Sequence, residues 1–156
     1  MQVVNQFIDG KEHISKSERF GDIYNPASGE KIKKVSFSNE DDVELAIKCA
    51  VKAGEKWSAT PPLTRSRVLF KFKDLILRDM DKLAFELTTE HGKILSDSVG
   101  SITRGMEVVE FACGIPHLLK GEYSENVGSD IDSWSMRQSL GAVSYTHLRA
   151  HETSLH

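Results

Sequence analysis

The feature that most constrains this chain is a long central stretch, from Ser38 to about residue 120, whose apolar residues recur at helical spacing. Ser38 is a candidate N-cap, and the acidic residues after it suit the positive end of a helix dipole. The first helix places apolar or small side chains on one face: Val43, Ala46, Ile47, Ala50, Gly54 and Trp57. Pro61-Pro62 then ends this helix, so any further helix must begin anew.

Three further helices are predicted by the same periodicity. The second can be capped by Thr60 or by Thr64, and its buried stripe comprises Val68, Leu69, Phe72, Leu75 and Ile76. Asp79-Met80-Asp81 marks a break, and the third helix extends to Gly92, which suits a C-cap. Ser96 opens the fourth helix, which presents on one side Val99, Ile102, Met106 and Val109.

Short strands are predicted on both sides of the helices. Four early segments have the composition or alternation of strands: Gln6 to Ile8, Glu12 to Ile14, Asp22 to Tyr24 and Ile32 to Phe37. Asp9-Gly10 is a hairpin signal between the first two, and Asn25-Pro26 stops the third because proline cannot donate to a strand ladder. After the helices, Asn126 to Asp132 is turn-like and Trp134 to Leu140 alternates as a strand.

The composition bears on the class of partner and on the compartment. With 156 residues, 39% hydrophobic and 28% charged, the chain can form one ordinary globular domain. A formal net charge of -3 gives no electrostatic reason to expect nucleic acid or a membrane as a partner. No apolar run approaches the roughly 18 residues of a transmembrane helix. The first residues lack a signal peptide or presequence and the two cysteines form no close pair, which predicts a cytoplasmic protein.

A glycine-rich phosphate loop is not predicted. Gly100 and Gly105 have the glycine spacing of a P-loop, but Met106-Glu107 occupies the positions where Lys and Ser or Thr would bind phosphate and magnesium. No G-x-G-x-x-G occurs in the sequence, so no cofactor-binding residue is predicted. The two glycines, with Gly114 and Pro116, would weaken a free helix, which predicts close packing or a kink in the fourth helix.

No residue is predicted to be a nucleophile or a metal ligand. Cys49 and Cys113 lie on predicted helices without an adjacent base, and we interpret them as small core or near-core residues. His147, His151 and His156 have a spacing that is compatible with metal binding. The residues near them do not complete a ligand set. We interpret these three as exposed tail residues.

Other polar residues on the helices also have structural interpretations. His91 lies beside a predicted C-cap and is interpreted as serving the helix end. Asp41-Asp42 is interpreted as a first turn matched to the helix dipole, and Glu86 with Glu90 as a solvated helix face, since neither pair has an obvious desolvating environment. From the residues alone, the chain is an α+β domain in which no active site is identified.

Seven short motifs, in order between residues 5 and 143, resemble the aldehyde dehydrogenase superfamily. They are Phe7-Ile8-Asp9-Gly10, Asn25-Pro26-Ala27-Ser28-Gly29-Glu30, Ala46 and Ala50 with Trp57, Arg65 with Leu69, Glu90-His91-Gly92-Lys93, Gly121-Glu122 and Leu140-Gly141. Ser139 stands where the family has proline. The stretch from Thr103 to Ala112 resembles the R-G-x-x-V-V-E-x-A run of the CoA-acylating methylmalonate-semialdehyde dehydrogenase branch, which the spacing of Asp130, Asp132, Ser135 and Arg137 also fits.

The resemblance implies an α/β fold, namely the N-terminal part of the aldehyde dehydrogenase fold. That part has short N-terminal strands, a four-helix segment and the start of the subunit-joining sheet. Residues 1–143 would form the first part of the NAD-binding domain, including the start of the oligomerisation strand. A complete enzyme of this family is about three times as long, longer than one typical domain, and is expected to be a homo-oligomer.

For the complete enzyme, the resemblance implies NAD-dependent oxidation of methylmalonate or malonate semialdehyde to an acyl-CoA, with coenzyme A as co-substrate. In the family, a cysteine thiolate attacks the aldehyde and the hemithioacetal gives hydride to NAD. The family's asparagine, glutamate, nucleophilic cysteine and nucleotide-contacting glycines would all lie beyond Val143. We therefore expect no catalytic residue here, and we expect the chain by itself to be inactive.

Arg104 is the one residue that we place near the substrate. Malonate-type semialdehydes carry a carboxylate, and the planar guanidinium is a bidentate donor suited to hold it. The resemblance puts this arginine on the long helix beside the entry to the active site. The alternative is an ordinary arginine on a helix surface.

The family pattern stops near Val143, and residues 144–156 contain half of the chain's six histidines. This segment resembles translated adapter DNA, so we interpret it as a non-native tail. Two other functions stay open: a fragment of an aldehyde dehydrogenase branch that makes a free acid, and a stand-alone helical interaction module. We expect the chain alone to be poorly stable, because its helices lack the sheet they would cover and its last strand has an exposed edge.

Overall fold

The computed structural model describes residues 1–145. The chain begins with strand β1 (Val3–Val4), followed by a hairpin of β2 (Gln6–Ile8) and β3 (Lys11–His13). Asp9 and Gly10 connect the hairpin with φ angles of 54° and 74°, so both have the left-handed backbone that a type I′ turn requires. The predicted hairpin is therefore confirmed, although its second strand begins one residue earlier than expected.

A three-stranded sheet follows. Strands β4 (Phe20–Asn25) and β5 (Glu30–Ser36) pair antiparallel, and β1 lies parallel to the other edge of β5. The connecting turn is held by the carbonyl of Asn25, which accepts N–H bonds from Ser28 and Gly29 at 3.2 and 2.7 Å. Both predicted strands are confirmed, and each begins two residues earlier than the sequence suggested.

The middle of the described chain contains the helices α1 (Glu40–Ala59), α2 (Pro62–Arg78), α3 (Met80–His91), α4 (Leu95–Cys113) and the short α5 (Ile115–Leu118). The N-cap of α1 is Asn39, so the predicted cap at Ser38 is wrong by one residue. Asn39 accepts the Asp42 N–H at 3.0 Å, and the Asp42 carboxylate accepts the Asn39 N–H at 2.9 Å. This reciprocal capping box satisfies two backbone donors at once, which explains why the helix begins there.

Neither Thr60 nor Thr64 caps α2. Pro61 occupies the N-cap position and Pro62 the first helical position, where a missing N–H costs no hydrogen bond. Asp79 separates α2 from α3, which confirms the predicted break. The two prolines thus end α1 as expected and also set the start of α2.

Gly92 ends α3, as the sequence predicted. Its φ of 80° is left-handed, and its N–H donates to the carbonyl of Thr88 at 2.9 Å. A β-carbon at this position would lie 2.8 Å from Cγ of Pro26, in the turn after β4. Backbone conformation and close packing therefore both require glycine here.

The start and the end of α4 differ from the prediction. Its N-cap is Ile94, whose side chain cannot accept a hydrogen bond, so the predicted cap at Ser96 is wrong. Gly114 and Pro116 lie beyond its last residue, in the turn into α5, rather than inside a kinked helix. Close packing around the helical glycines is also not found, because a β-carbon built on Gly100 or Gly105 would have no described atom of another element within 4 Å.

Helices α2, α3 and α4 pack together mainly through small and polar side chains. Ala84 on α3 and Ser98 on α4 are fully buried, and the Ser98 hydroxyl lies 2.8 Å from the hydroxyl of Thr88. On α2, Ser66 is 2% exposed, and its hydroxyl donates to the carbonyl of Cys113 at 2.6 Å. These contacts fix α4, the helix that carries Arg104, against its neighbours.

The predicted apolar stripes are only partly buried. On α4 the prediction is confirmed, since Val99, Ile102, Met106 and Val109 are all half-buried. On α2 the predicted burial is wrong for Val68 and Phe72, which are 51% and 50% exposed. On α1 the shared apolar face includes Val43, Ile47 and Trp57, which are 46–50% exposed. Their spacing is helical as predicted, but no element within residues 1–145 covers these faces.

The last described elements form an exposed hairpin of β6 (Tyr123–Gly128) and β7 (Ile131–Trp134). The strand predicted at residues 134–140 is wrong, since β7 ends at Trp134. The turn predicted at residues 126–132 is confirmed only at 129–130, because the polar residues on both sides of it pair as strands. The carboxylate of Asp132 supplies one reason, since it accepts the Tyr123 hydroxyl at 2.6 Å and the Asn126 N–H at 3.0 Å. Side chains that looked turn-like in sequence thus hold the two strands together.

Candidate functional site

Arg104 lies on the exposed side of α4, and its guanidinium turns back towards the start of that helix. Its Nη2 donates to the hydroxyl of Ser101 at 3.1 Å. Residues three apart on a helix are neighbours on its surface, so this contact follows directly from the sequence spacing. A β-carbon at Gly100 would lie 3.6 Å from Nη1, which shows that the guanidinium rests beside this glycine.

Lys93 approaches the same hydroxyl from the loop between α3 and α4. Its Nζ donates to Oγ of Ser101 at 2.7 Å. The left-handed backbone of Gly92 ends α3 immediately before Lys93, and α4 begins two residues after it. The Lys93, Ser101 and Arg104 side chains, here named the cationic cluster, therefore meet because of the tight connection between two helices.

Neither cation of the cluster belongs to an ion pair within residues 1–145. The ion pairs there join other groups, such as Lys73 with Glu110 at 2.5 Å and Lys31 with Asp22 at 2.6 Å. Both cations instead donate to one neutral oxygen. Converging charged donors of this kind suit an anion such as a carboxylate or a phosphate.

The two cysteines lie on α1 and α4. Cys113 is 7% exposed, and its carbonyl rather than its thiol makes the bond to Ser66. This confirms its interpretation as a core residue. Cys49 is half-buried on α1, beside the apolar stripe of that helix. No described base or cation forms a hydrogen bond with either thiol.

The glycine pair Gly100 and Gly105 lies inside the continuous helix α4, so it does not form a loop. The backbone N–H groups there are committed to the helix and cannot cradle a phosphate. The rejection of a P-loop is therefore confirmed.

A polar cluster that the sequence did not reveal joins β3 to α1. The Asp42 carboxylate accepts bonds from the hydroxyl of Ser15, from the backbone N–H of Asn39 and from Nε2 of His13. Asp42 is only 5% exposed, which corrects its interpretation as a first-turn acid without a desolvating environment. Hydrogen bonds from the Ser15 hydroxyl, then from the Asn39 N–H and from His13, in order of size, lower the pKa of Asp42 to about 2.

This cluster contains Ser, His and Asp, but its geometry excludes a catalytic triad. In a triad the histidine bonds the serine hydroxyl on one side and the carboxylate on the other. Here Ser15 and His13 both bond the same carboxylate, one to each oxygen. The three side chains therefore join the cap of α1 to the β2–β3 hairpin.

Two further polar interpretations can be compared with the structure. Glu86 and Glu90 on α3 both lie 3.5 Å from Nζ of Lys33 on β5, so this helix face contacts the sheet and is not simply solvated. Both carboxylates are about half exposed. His91 occupies the last turn of α3, where a basic side chain suits the negative end of the helix.

Metal and membrane sites were also predicted to be absent. Within residues 1–145, no group of three or more His, Cys, Asp and Glu side chains is arranged to hold a metal ion. The predicted tail histidines His147, His151 and His156 lie outside the described residues. No described helix combines the length and the apolarity that a membrane span needs.

A cleft of about 770 Å³ in the described part of the chain lies apart from the cationic cluster. It separates α1 from the segment that follows β7, and Arg65 and Arg137 line it with Trp57. The Nε of Arg65 is buried without a hydrogen-bond partner among the described residues. Arg104 is an exposed residue of α4 and does not line this cleft.

Comparison with known proteins identifies the class of protein. The family model described as "Aldehyde dehydrogenase family" matches residues 13–146, most of the chain. The chain therefore belongs to the aldehyde dehydrogenase family. This confirms the fold class inferred from the sequence motifs, with helices and strands arranged as in the N-terminal part of solved aldehyde dehydrogenases.

Within that family the chain is similar to methylmalonate- and malonate-semialdehyde dehydrogenases. It is 45% identical over 138 residues to the acylating mitochondrial methylmalonate-semialdehyde dehydrogenase of Arabidopsis thaliana, covering 88% of this chain and 23% of the relative. It is 41% identical to the malonate-semialdehyde dehydrogenase of Pseudomonas aeruginosa, covering 92% and 29%.

Solved structures agree with the sequence relatives. A protein from Sinorhizobium meliloti, assigned as a methylmalonate-semialdehyde dehydrogenase and solved with NAD, superposes with a TM-score of 0.86 at 44% identity, covering 90% of this chain and 28% of that one. The methylmalonate-semialdehyde dehydrogenase of Oceanimonas doudoroffii gives 0.84 at 43% identity, covering 88% and 28%. The chain thus spans about a quarter of the length of these relatives.

Proposed function

We propose that this chain is part of an NAD-dependent dehydrogenase that converts methylmalonate or malonate semialdehyde into an acyl-CoA. The names of the similar proteins support the semialdehyde substrate, the word "acylating" in one name supports coenzyme A, and the solved complex of another supports NAD. The observation that carries the proposal is Arg104. It lies in the motif shared with that branch and has no carboxylate partner within residues 1–145.

Arg104 has the chemistry to bind the substrate carboxylate. A guanidinium is always charged at neutral pH and presents two parallel N–H donors, which match the two oxygens of a carboxylate. Within residues 1–145 the guanidinium makes one side-chain hydrogen bond, from Nη2 to Ser101, so its further donors can bind a ligand. A carboxylated aldehyde would then be selected over an uncarboxylated aldehyde of the same length.

The chemical step itself belongs to other parts of the whole enzyme. NAD, when bound, would accept the hydride, but the described residues do not fit a nucleotide site, and neither cysteine is placed as a nucleophile. We therefore propose that this chain alone is inactive. We also propose that the exposed hairpin of β6 and β7 contributes to subunit contacts in a homo-oligomer, because two exposed strands have unpaired edges.

The test uses a graft in which residues 1–143 of this chain replace the matched segment of the Sinorhizobium meliloti relative. The graft is incubated with malonate semialdehyde, NAD and coenzyme A, and the products are identified by mass spectrometry. We expect NADH and an acyl-CoA in equal amounts. Formation of a free acid in the presence of saturating coenzyme A would overturn the proposal in favour of another branch.

A second experiment tests the inactivity of the chain alone. The purified 156-residue chain is assayed for NADH formation under the same conditions as the graft. We expect no turnover above the protein-free control, whereas measurable turnover would show that the chain contains a nucleophile of its own.

A further inference from the structure

Ser101 is held in an unusual position for a helical serine. Its oxygen accepts a bond from Nζ of Lys93 at 2.7 Å and another from Nη2 of Arg104 at 3.1 Å. Two residues further along the same helix, the hydroxyl of Thr103 donates back to the carbonyl of Val99 at 2.9 Å, as hydroxyls within helices commonly do. The Ser101 hydroxyl donates to no acceptor within residues 1–145 and retains its proton for another partner.

The two cations that share this oxygen are close together. Since both donate to Ser101 over the distances given, their nitrogen atoms cannot be more than about 6 Å apart, a separation at which like charges repel. No carboxylate within residues 1–145 forms an ion pair with either cation. An anion placed beside them would relieve the repulsion and would accept the free proton of Ser101.

We propose that Lys93 and Ser101 complete the carboxylate site of Arg104. In this arrangement the substrate carboxylate accepts bonds from the guanidinium and from the Ser101 hydroxyl, while Lys93 contributes a second positive charge. Ser101 also holds the guanidinium in place, so it acts both as a ligand and as a positioning residue. The inference rests on the proposed function, because it assumes that the anion is the carboxylate of a semialdehyde.

The substrate carboxylate is the occupant that the contacts favour. The cluster offers one hydroxyl, one guanidinium and one ammonium, and all three are on or beside α4. A phosphate of coenzyme A has the same acceptor chemistry, and it would come from the other substrate of the reaction. The Michaelis constants for the aldehyde and for coenzyme A therefore distinguish the two sources.

The test places Lys93→Met and Ser101→Ala separately in the grafted enzyme. The KM is measured for malonate semialdehyde, for propanal, which lacks the carboxylate, and for coenzyme A. We expect each substitution to raise the KM for malonate semialdehyde about threefold to tenfold, the loss expected for one bond to a charged group at a partly exposed site. The KM for propanal and for coenzyme A should stay within twofold.

Matched controls separate binding from structure. Lys52→Met and Ser96→Ala remove the same groups from exposed helical positions without a described side-chain contact, and neither should change any KM. Ser101→Thr keeps the hydroxyl and should restore most of the affinity. The melting temperature of each variant, compared with its control, shows whether a KM change accompanies a loss of structure.

The outcomes are distinguishable. If Arg104→Ala changes the preference for the carboxylated aldehyde but Lys93→Met and Ser101→Ala do not, this inference is wrong and the proposed function stands. If the KM for coenzyme A rises instead, the cluster binds a phosphate and the assignment to the substrate carboxylate is overturned. If Arg104→Ala has no selective effect either, the role proposed for Arg104 fails as well.

Discussion

His13 Nε2 lies 2.7 Å from Oδ1 of Asp42, and this contact joins a β-hairpin to the first turn of a long helix. An ionised carboxylate only accepts hydrogen bonds, so the imidazole must donate through Nε2–H. Because the other oxygen of Asp42 accepts the N-cap N–H of Asn39, one side chain closes the helix and anchors the hairpin. The start of α1 should therefore depend on the ionisation of Asp42.

Acid should loosen this junction. The pKa of Asp42 is lowered from its ordinary value of 3.8 to about 2, so folding favours the ionised form. The resulting stability is fully present above pH 3.8 and is lost as the pH falls through 2. We expect the helical circular dichroism of Asp42→Asn to be weaker than that of the unmodified chain at pH 5 and to approach it below pH 2.

Asp41→Asn is the control for that experiment, because it removes a charge from the same exposed turn without a described hydrogen bond. The difference in helical circular dichroism between Asp41→Asn and the unmodified chain should be the same at pH 5 and below pH 2, unlike the difference for Asp42→Asn. Identical profiles for the two variants would show that the cluster of Asp42 does not stabilise the fold.

The hydroxyl of Ser66 should stabilise the contact between α2 and α4. The carbonyl of Cys113 is in the last turn of α4, where carbonyls have no intrahelical partner, and Ser66 supplies one at 2.6 Å. Ser66→Ala leaves this buried carbonyl unsatisfied, at a cost of about 1–3 kcal/mol. In the grafted enzyme, we expect faster amide hydrogen exchange at the end of α4.

Ser58→Ala is the matched variant, because Ser58 bonds a carbonyl in an exposed turn of α1 and is not buried. Exchange in α4 should be unchanged in this control. Equal protection of α4 in both variants would mean that the hydrogen bond of Ser66 contributes nothing measurable.

Gly92→Ala should destabilise the connection that positions Lys93. A left-handed residue with a β-carbon costs roughly 1–2 kcal/mol, and the added carbon would also lie 2.8 Å from Pro26. We expect a lower melting temperature of the grafted enzyme and a raised KM for malonate semialdehyde. Gly54→Ala is the control, since nothing lies within 4 Å of its β-carbon and its backbone is helical; an equal effect of both changes would contradict the explanation.

The exposed apolar faces predict poor solubility of the chain by itself. Side chains such as Phe70 and Phe111 are 54% and 70% exposed, although large apolar groups on helices usually face a core. We expect the isolated chain to bind a hydrophobic dye strongly and to associate during size-exclusion chromatography. A monomer with a sharp two-state melt and no dye binding would contradict this prediction.

Local sequence signals were sufficient for the elements that depend on local chemistry. Asp9-Gly10 fixes a hairpin and Gly92 fixes a helix end because backbone conformation alone decides both. The caps of α1 and α4 were predicted wrongly. At α1 the neighbouring Asn39 caps the helix instead of Ser38, and α4 begins at Ile94 without a side-chain cap. The strand around Asp132 was missed because its cross-strand bonds join residues up to nine positions apart.

The candidate site could be predicted only in part. Arg104 was found through a family motif, and its contact with Ser101 follows from their spacing on a helix, but no sequence signal linked Lys93 to these two residues. They meet because the turn at Gly92 is tight and because Ser101 lies three residues before Arg104 on the helix. Burial of the α2 stripe was overestimated because helical periodicity shows which face is apolar but not what covers it.

The role of Arg104 in selecting a carboxylated substrate is tested most directly by one ratio. The kcat/KM of the grafted enzyme is measured for malonate semialdehyde and for propanal, in the unmodified graft, in Arg104→Ala and in Arg67→Ala, which removes an exposed arginine from α2. We predict that Arg104→Ala lowers the ratio of the two constants by about 10- to 100-fold, with propanal and the Arg67 control almost unchanged. A ratio that stays the same in Arg104→Ala would contradict the proposal that this residue binds the substrate carboxylate.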